Sequence, residues 1–243
     1  MNRAYWDSVA LDYDRNVLSV RDYDVGGLVC RRIAEAAEAW PGGQAADLGC
    51  GVGKFTPVLA DLFRHVHACA CSPRALARAR QNCGDRPSVT FSCVDFAREP
   101  MPFAPVECVL CVNVLLMPDL DERMRAWRTV INQLTCGGRL VLVVPSVESA
   151  HFGYFAAVDA RLSAGDSCDE SLRAVTTSDA TVTGLQHGLH PLEGVPTKHY
   201  LREELEHMLT ALECDVLSCE KLEYPHLQPA TWDWLVTARR RDA

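Results

Sequence analysis

The sequence predicts an α/β protein built on a doubly wound, mostly parallel sheet. Five apolar runs separated by helical segments imply parallel strands joined by right-handed crossovers. Three glycines at alternate positions, Gly49, Gly51 and Gly53, lie between the first apolar strand and the helix after it. Asp47, Asp95 and Asn113 all fall at the carboxyl ends of apolar strands, the edge at which such sheets bind ligands.

With 243 residues and 48% hydrophobic content, the chain suffices for one large domain, or one domain with a small lid. A formal charge of −8 argues against a broad nucleic-acid footprint, which needs a basic surface. The one basic run, Arg239-Arg240-Arg241, reads as a solvated tail. No apolar run reaches 18 residues, and the opening residues lead into Tyr5-Trp6-Asp7 instead of an apolar signal core. The expectation is a soluble, cytoplasmic protein with no membrane partner. Twelve cysteines is a high count, but they sit in or beside apolar runs, where cysteine behaves as a small hydrophobe. The pairs Cys69/Cys71 and Cys108/Cys111 lie within strands and lack the tight loops of a zinc site, so no metal is expected.

Taken in order, the chain divides into an N-terminal helical cap (1–40) and a core (41–243) that carries an insertion (146–199). The stretch 5–24 is rich in Tyr, Trp and Asp, including Tyr5, Trp6, Asp7, Tyr13 and Asp14. A short helix around Val9 and a longer one over 25–39 follow from the apolar spacing, and Pro41-Gly42-Gly43 ends the second. Asp47-Leu48-Gly49-Cys50-Gly51-Val52-Gly53 comes next. Glycine serves where φ is positive or where a ligand must approach the backbone, and the helix after the turn directs its free N–H groups at whatever lies above it. The spacing is wrong for a dinucleotide fingerprint, because the third glycine comes one residue early, and wrong for a P-loop, because Lys54 precedes Phe55.

The D-L-G-C-G-V-G stretch resembles motif I of the class I S-adenosylmethionine-dependent methyltransferases. The resemblance implies that Gly49, Cys50, Gly51 and Gly53 lie under the amino acid part of the cofactor and that Asp47 orients its ammonium. It implies a seven-stranded sheet, a Rossmann-like methyltransferase fold whose last strand runs antiparallel. It also implies a lid from the Y-W-D opening, with Tyr5, Trp6 and Tyr13 near the reacting methyl; the same aromatics equally suit a packing helix.

The next elements extend the resemblance and show one departure from it. A helix over 55–63 leads to a strand over 65–71, and Ser72-Pro73 opens a further helix with Ser72 as N-cap. Family members end that strand with an acid on the two ribose hydroxyls, and here the position is Ala70. No acid occurs from 62 to 84. A hydrogen bond to a carboxylate contributes about 1.5–3 kcal/mol, so the loss weakens binding about ten to hundredfold unless Ser72, the local backbone or a water takes over one ribose hydroxyl; the side chains of Ala70 and Cys71 offer little. The strand over 88–94 ends in Asp95-Phe96, the positions that meet adenine in the family. The strand over 106–112 ends in Asn113-Val114-Leu115-Leu116, which lacks the prolines and aromatic of the branches that methylate nucleobase or glutamine amino groups. A helix over 121–134 with Met124, Trp127, Val130, Ile131 and Leu134 on its core face, and a strand over 140–144, complete the motif region.

Residues 145–200 show no clean strand: a helix begins near His151, 163–169 is a polar break, and 184–191 reads as a loop. Long interruptions of this kind are usually functional. His151, Tyr154, His187 and His199 there, with Tyr13 from the cap, are the candidates to steer or deprotonate a substrate, though each also suits a structural or surface place. A helix to 212 and strands over 214–222 and 232–238 close the chain. The reading is S-adenosylmethionine-dependent methyl transfer to a small molecule, with the oligomeric state unspecified. Because of Ala70, a degenerate binding or regulatory module, or use of an altered sulfonium cofactor, stands as the alternative; an NADP-dependent oxidoreductase fits the glycine spacing poorly.

Overall fold

The computed structural model describes residues 3–13, 17–175, 181–192, 194–227 and 231–242. Asp14, part of the acidic and aromatic opening, lies outside them. Strands β1 (Gln44–Leu48), β2 (His65–Ala70), β3 (Val89–Cys93), β4 (Val106–Val112) and β5 (Leu134–Pro145) form the parallel part of a seven-stranded sheet. Strands β8 (Cys214–Tyr224) and β9 (Thr231–Arg240) complete it in the order β3-β2-β1-β4-β5-β9-β8, with β9 antiparallel to both β5 and β8. The strand order reverses between β1 and β4, which opens a crevice at their carboxyl ends.

Both faces of the middle of the sheet are covered, which is why β1 and β4 are largely apolar, as are the residues of β5 from Leu140 on. Along β5, Leu140, Leu142 and Val144 pack on one side and Val141 and Val143 on the other, the two-residue period of a pleated strand. The first side receives α6 (Leu120–Asn132) and α10 (Arg202–Ala211) through Trp127, Val130, Leu205 and Leu209. The second receives α3 (Leu28–Ala39) and α4 (Thr56–Leu62) through Val29, Ile33 and Leu59. Trp127 is fully buried and donates to the Tyr200 hydroxyl at 3.2 Å, which in turn donates to the Leu115 carbonyl at 2.6 Å. That chain fixes the loop after β4 to the segment before α10.

Several boundaries differ from expectation for identifiable reasons. Helix α3 starts at Leu28, not 25, because the Asp24 carboxylate accepts from the Leu28 and Val29 amides, both at 2.9 Å, and sets the first turn. Arg123, not Met124, occupies the buried face of α6, where its guanidinium caps the Pro118 carbonyl at 3.1 Å. Leu134 belongs to β5, which runs through the Gly137-Gly138 pair with a register shift instead of beginning after it. The insertion contains helices α7 (Val147–Ser163), α8 (Cys168–Val175) and α9 (Val182–Gln186), and a small hairpin, β6 (Leu189–Leu192) with β7 (Val195–Lys198). The hairpin was hidden because Pro191 faces Pro196 across it, residues that depress any strand reading from sequence. Arg239 and Arg240 are part of β9 rather than a solvated tail: Arg239 and Arg241 pair with Asp215 at 2.7 and 2.8 Å, and Arg240 reaches the Leu134 carbonyl. Among the described residues, no helix is long and apolar enough to cross a membrane.

Replacing Trp127 by alanine is expected to lower unfolding free energy by about 3–5 kcal/mol, the cost of a large core cavity, as measured by urea denaturation. A cost below 1 kcal/mol would remove this residue from the centre of the core.

Candidate functional site

The site begins with the turn between β1 and α4. Gly49, Gly51 and Gly53 have φ of 77°, 53° and 78°, a region that side chains enter with strain. The Gly49 and Cys50 amides both donate to the Cys69 carbonyl, at 2.8 and 2.9 Å, so the turn is tied to the end of β2. A Cβ on Gly49 would stand 2.4 Å from Val114, and one on Gly51 would stand 2.5 Å from the Tyr13 hydroxyl. Gly53 behaves differently. Its missing Cβ leaves room for Ala79 of α5 (Pro73–Cys83), 3.0 Å away, and it does not line the cleft above the turn. The third glycine therefore packs against a helix, unlike Gly49 and Gly51, with which the spacing groups it.

Asp47 closes β1 and is 4% exposed. Its Oδ2 accepts from the Thr56 hydroxyl at 2.6 Å. Burial raises this carboxyl to about 6, against a smaller opposing effect of the Thr56 hydrogen bond. A raised acid favours the folded state below its ordinary value and loses that contribution as pH rises through about 6. The free protein thus holds a carboxylate that gains from a cation placed beside it.

A cleft of about 1290 Å³, open solvent at its mouth included, runs over these strand ends. Asp47, Gly49, Cys50 and Gly51 form one end of its floor, Ala70, Cys71 and Ser72 the middle, and Asp95 and Phe96 the other end. Asn113, Val114 and Met117 form the side next to β4. Tyr13 roofs the glycine turn, and Trp6, Leu18 and Arg21 from the first residues of the chain extend that roof. Tyr5 does not line the cleft; its ring stands edge-on to Trp6 at 5.2 Å, so the neighbour takes the place expected of it.

Asn113 has a φ of 52°, a conformation that asparagine tolerates better than most residues. Its Nδ2 donates to Asp233 Oδ2 at 3.0 Å, and Tyr224 donates to the same oxygen at 2.7 Å. Its Oδ1 is buried and has no partner among the described residues. Sequence reasoning missed Asp233 and Tyr224, although an acid inside Trp232-Asp233-Trp234-Leu235-Val236 is itself a signal of a buried polar link. Leu18, Arg21 and Met117 were missed too, because a cleft wall built of ordinary loop residues carries no pattern.

The insertion candidates assemble away from that cleft. His151, Tyr154 and His199 surround His190, with ring centroids 5.0, 6.0 and 5.1 Å from it, and none of the four lines the cleft. His190 is 1% exposed, and neither ring nitrogen has a hydrogen-bond partner among the described residues. His199 meets the Thr197 carbonyl through Nδ1 at 3.0 Å, and burial lowers its imidazole to about 4, so it is neutral near pH 7. His187 lies in the turn before β6, where its carbonyl accepts from the Lys198 ammonium at 3.0 Å. No group of three His, Cys, Asp or Glu side chains among the described residues is disposed to hold a metal ion.

Comparison with known proteins adds to this geometry. Residues 45–138, from β1 into β5, match the model of a methyltransferase domain. No curated protein sequence matches the chain. Among solved structures, magnesium protoporphyrin IX methyltransferase from Synechocystis PCC 6803, solved with S-adenosylmethionine, is 16% identical with a TM-score of 0.63 and covers 98% of this chain and 94% of its own. The 1,6-didemethyltoxoflavin-N1-methyltransferase of Burkholderia thailandensis, solved with bound 1,6-didemethyltoxoflavin and S-adenosylhomocysteine, is 16% identical with a TM-score of 0.62, over 99% and 87% of the two chains. The [4+2]-cyclase SpnF is 17% identical with a TM-score of 0.59, over 89% and 81%. Residues 45–138 thus match a methyltransferase domain, and the chain around them has the fold of the solved methyltransferases, a seven-stranded sheet of this order with the glycine turn at its switch point.

Proposed function

We propose that the cleft holds S-adenosylmethionine and that the protein transfers its methyl group to a small-molecule nucleophile. The observation that carries this reading is the buried Asp47 carboxylate beside the Gly49 and Gly51 cradle, at one end of a cleft whose other end is Asp95 and Phe96. An ammonium suits the first end and an adenine ring the second, and the missing side chains at Gly49 and Gly51 let Val114 and Tyr13 close over the turn.

In this reading Asp47 accepts from the ligand ammonium while Gly49, Cys50 and Gly51 let its amino acid part lie against the backbone. Ala70, Cys71 and Ser72 border the ribose, Asp95 takes the adenine amino group, and Phe96 packs on the ring. Bound S-adenosylmethionine would supply a methyl group already activated on a sulfonium. The chain's own contribution is then alignment and exclusion of water. Residues 1–40 act as the cap, with Tyr13 and Trp6 shielding the ligand, and 41–243 as the core; Tyr5 supports the cap through Trp6. Asn113 and Val114 face the acceptor side, and Asn113 is held by Asp233 so that its Oδ1 is the atom left to accept a hydrogen bond. The insertion over 146–199 borders the acceptor's surroundings, while its His151, Tyr154 and His199 gather around His190, away from the cleft.

The net charge of −8 favours a small acceptor over a nucleic acid. Twelve free thiols suit a reducing, cytoplasmic setting. A second reading, a chain that keeps the fold for binding or uses an altered sulfonium ligand, draws on Ala70 in the cleft floor. A cyclase of the same fold shows that the architecture alone does not dictate methyl transfer.

Calorimetry with S-adenosylmethionine, S-adenosylhomocysteine and NADPH tests the assignment: the two sulfur ligands should bind and NADPH should not. Asp47→Ala and Gly51→Leu should each abolish that binding, and unchanged affinity in both would sink the reading. The affinity should also be flat above pH 6 and fall by up to about tenfold per pH unit below it, because a protonated Asp47 must release its proton to receive the ammonium. A pH-independent affinity between 5 and 7 would detach Asp47 from the ligand.

A further inference from the structure

His190 of β6 is 1% exposed and packs against His151 and Tyr154 of α7 and against His199, which follows β7. A neutral imidazole carries one N–H donor and one acceptor, yet neither nitrogen of His190 reaches a hydrogen-bond partner among the described residues. An imidazolium there would bring two donors and a charge into the same dry contact. It would also meet the charges of His151 and Lys198, with no carboxylate among the described residues bonded to it. The Lys198 ammonium is itself committed, to Glu204 of α10 at 2.7 Å and to the His187 carbonyl at 3.0 Å. An uncharged His190 is therefore a condition of this packing.

The end of β7 joins the cluster to the wall of the cleft. The His199 amide donates to the Gly188 carbonyl at 2.8 Å, which closes the hairpin, and the Lys198 amide donates to the Leu116 carbonyl at 3.0 Å. Leu116 precedes Met117, which lines the cleft. From this placement we propose that the imidazole cluster is an acid-operated latch. While His190 is uncharged the β6–β7 hairpin stays docked on α7, and protonation releases the hairpin together with its hold on the loop after β4. The latch does not depend on which ligand the cleft binds.

The direction of the pH effect follows from the surroundings of the two buried rings. Burial, with the charges of His151 and Lys198, holds His190 below the usual imidazole value, and burial lowers His199 to about 4. Each ring regains a value of about 6.5 when the hairpin opens to water. Docking is thus fully favoured above that pH and is lost as pH falls through it.

Hydrogen exchange resolved by NMR, corrected for the intrinsic pH dependence of exchange, reads the latch at the Lys198 and His199 amides. Their protection should be level above about pH 7 and fall about tenfold per pH unit for each of the two rings between about pH 6.5 and 5. The Leu116 amide should lose protection with them. His190→Phe should remove the share of one ring, about tenfold per unit, and His190→Gln, a second uncharged variant, should give the same shallower profile. Level protection down to about pH 5 in the wild-type protein overturns the proposal. A decline as steep in both variants as in the wild type overturns it as well. So does an equal decline at the amides of β1, because the whole domain and not the hairpin would then be opening. Opening of the hairpin with Leu116 unchanged overturns the link to the cleft wall.

Discussion

Three positive-φ glycines in one turn hold the site together because each leaves room for a different element. Gly49 admits Val114 from the loop after β4, Gly51 admits the Tyr13 hydroxyl from the cap, and Gly53 admits Ala79 of α5. The turn is itself tied to β2 through the Cys69 carbonyl. A Cβ at any of the three would push away one wall of the cleft or one supporting helix, at a conformation already costly for a side chain. The constraint is therefore steric before it is chemical.

Much of this was legible in sequence, and the failures share a cause. The core strands and helices were readable because burial on both faces leaves long apolar runs, and the Ser72-Pro73 cap was readable because its chemistry is local. The turn that holds Asp47, Gly49 and Gly51 belongs to the same class of short-range signal. Features that depend on long-range pairing were not readable: the hairpin with Pro191 opposite Pro196, the Arg239 and Arg241 pairing with Asp215, and the link from Asn113 to Asp233. Asp7 was visible in the opening stretch, but nothing in a linear text says that it meets Ser72, sixty-five residues later. Gly53 is the reverse case: its spacing groups it with Gly49 and Gly51, yet its own neighbour is a helix.

The antiparallel edge is more than a cover for β5. Asp233 is buried, and burial raises its carboxyl while hydrogen bonds from Asn113 and Tyr224 oppose that shift. Such a group is costly unless its partners are in place. Its link thus couples the last two strands to the residue that closes β4, and the start of the insertion after β5 is tied to the same strand, Ser149 accepting from the Trp232 amide and Glu148 from the Trp234 indole, on either side of Asp233. Trp127, Tyr200 and Leu115 form a second link of the same kind on the opposite face.

Two of the thiols that line the cleft bear on what an electrophilic methyl group would meet there. Burial raises Cys71 to about 11 and holds Cys50 well above the ordinary thiol range, with the nearby Asp47 charge adding to the second. Only the thiolate is a strong nucleophile toward carbon. At neutral pH both side chains stay protonated, so a sulfonium donor held against this floor faces no competing internal acceptor. The same burial that makes cysteine a small apolar filler here also keeps both thiols protonated at the cleft floor.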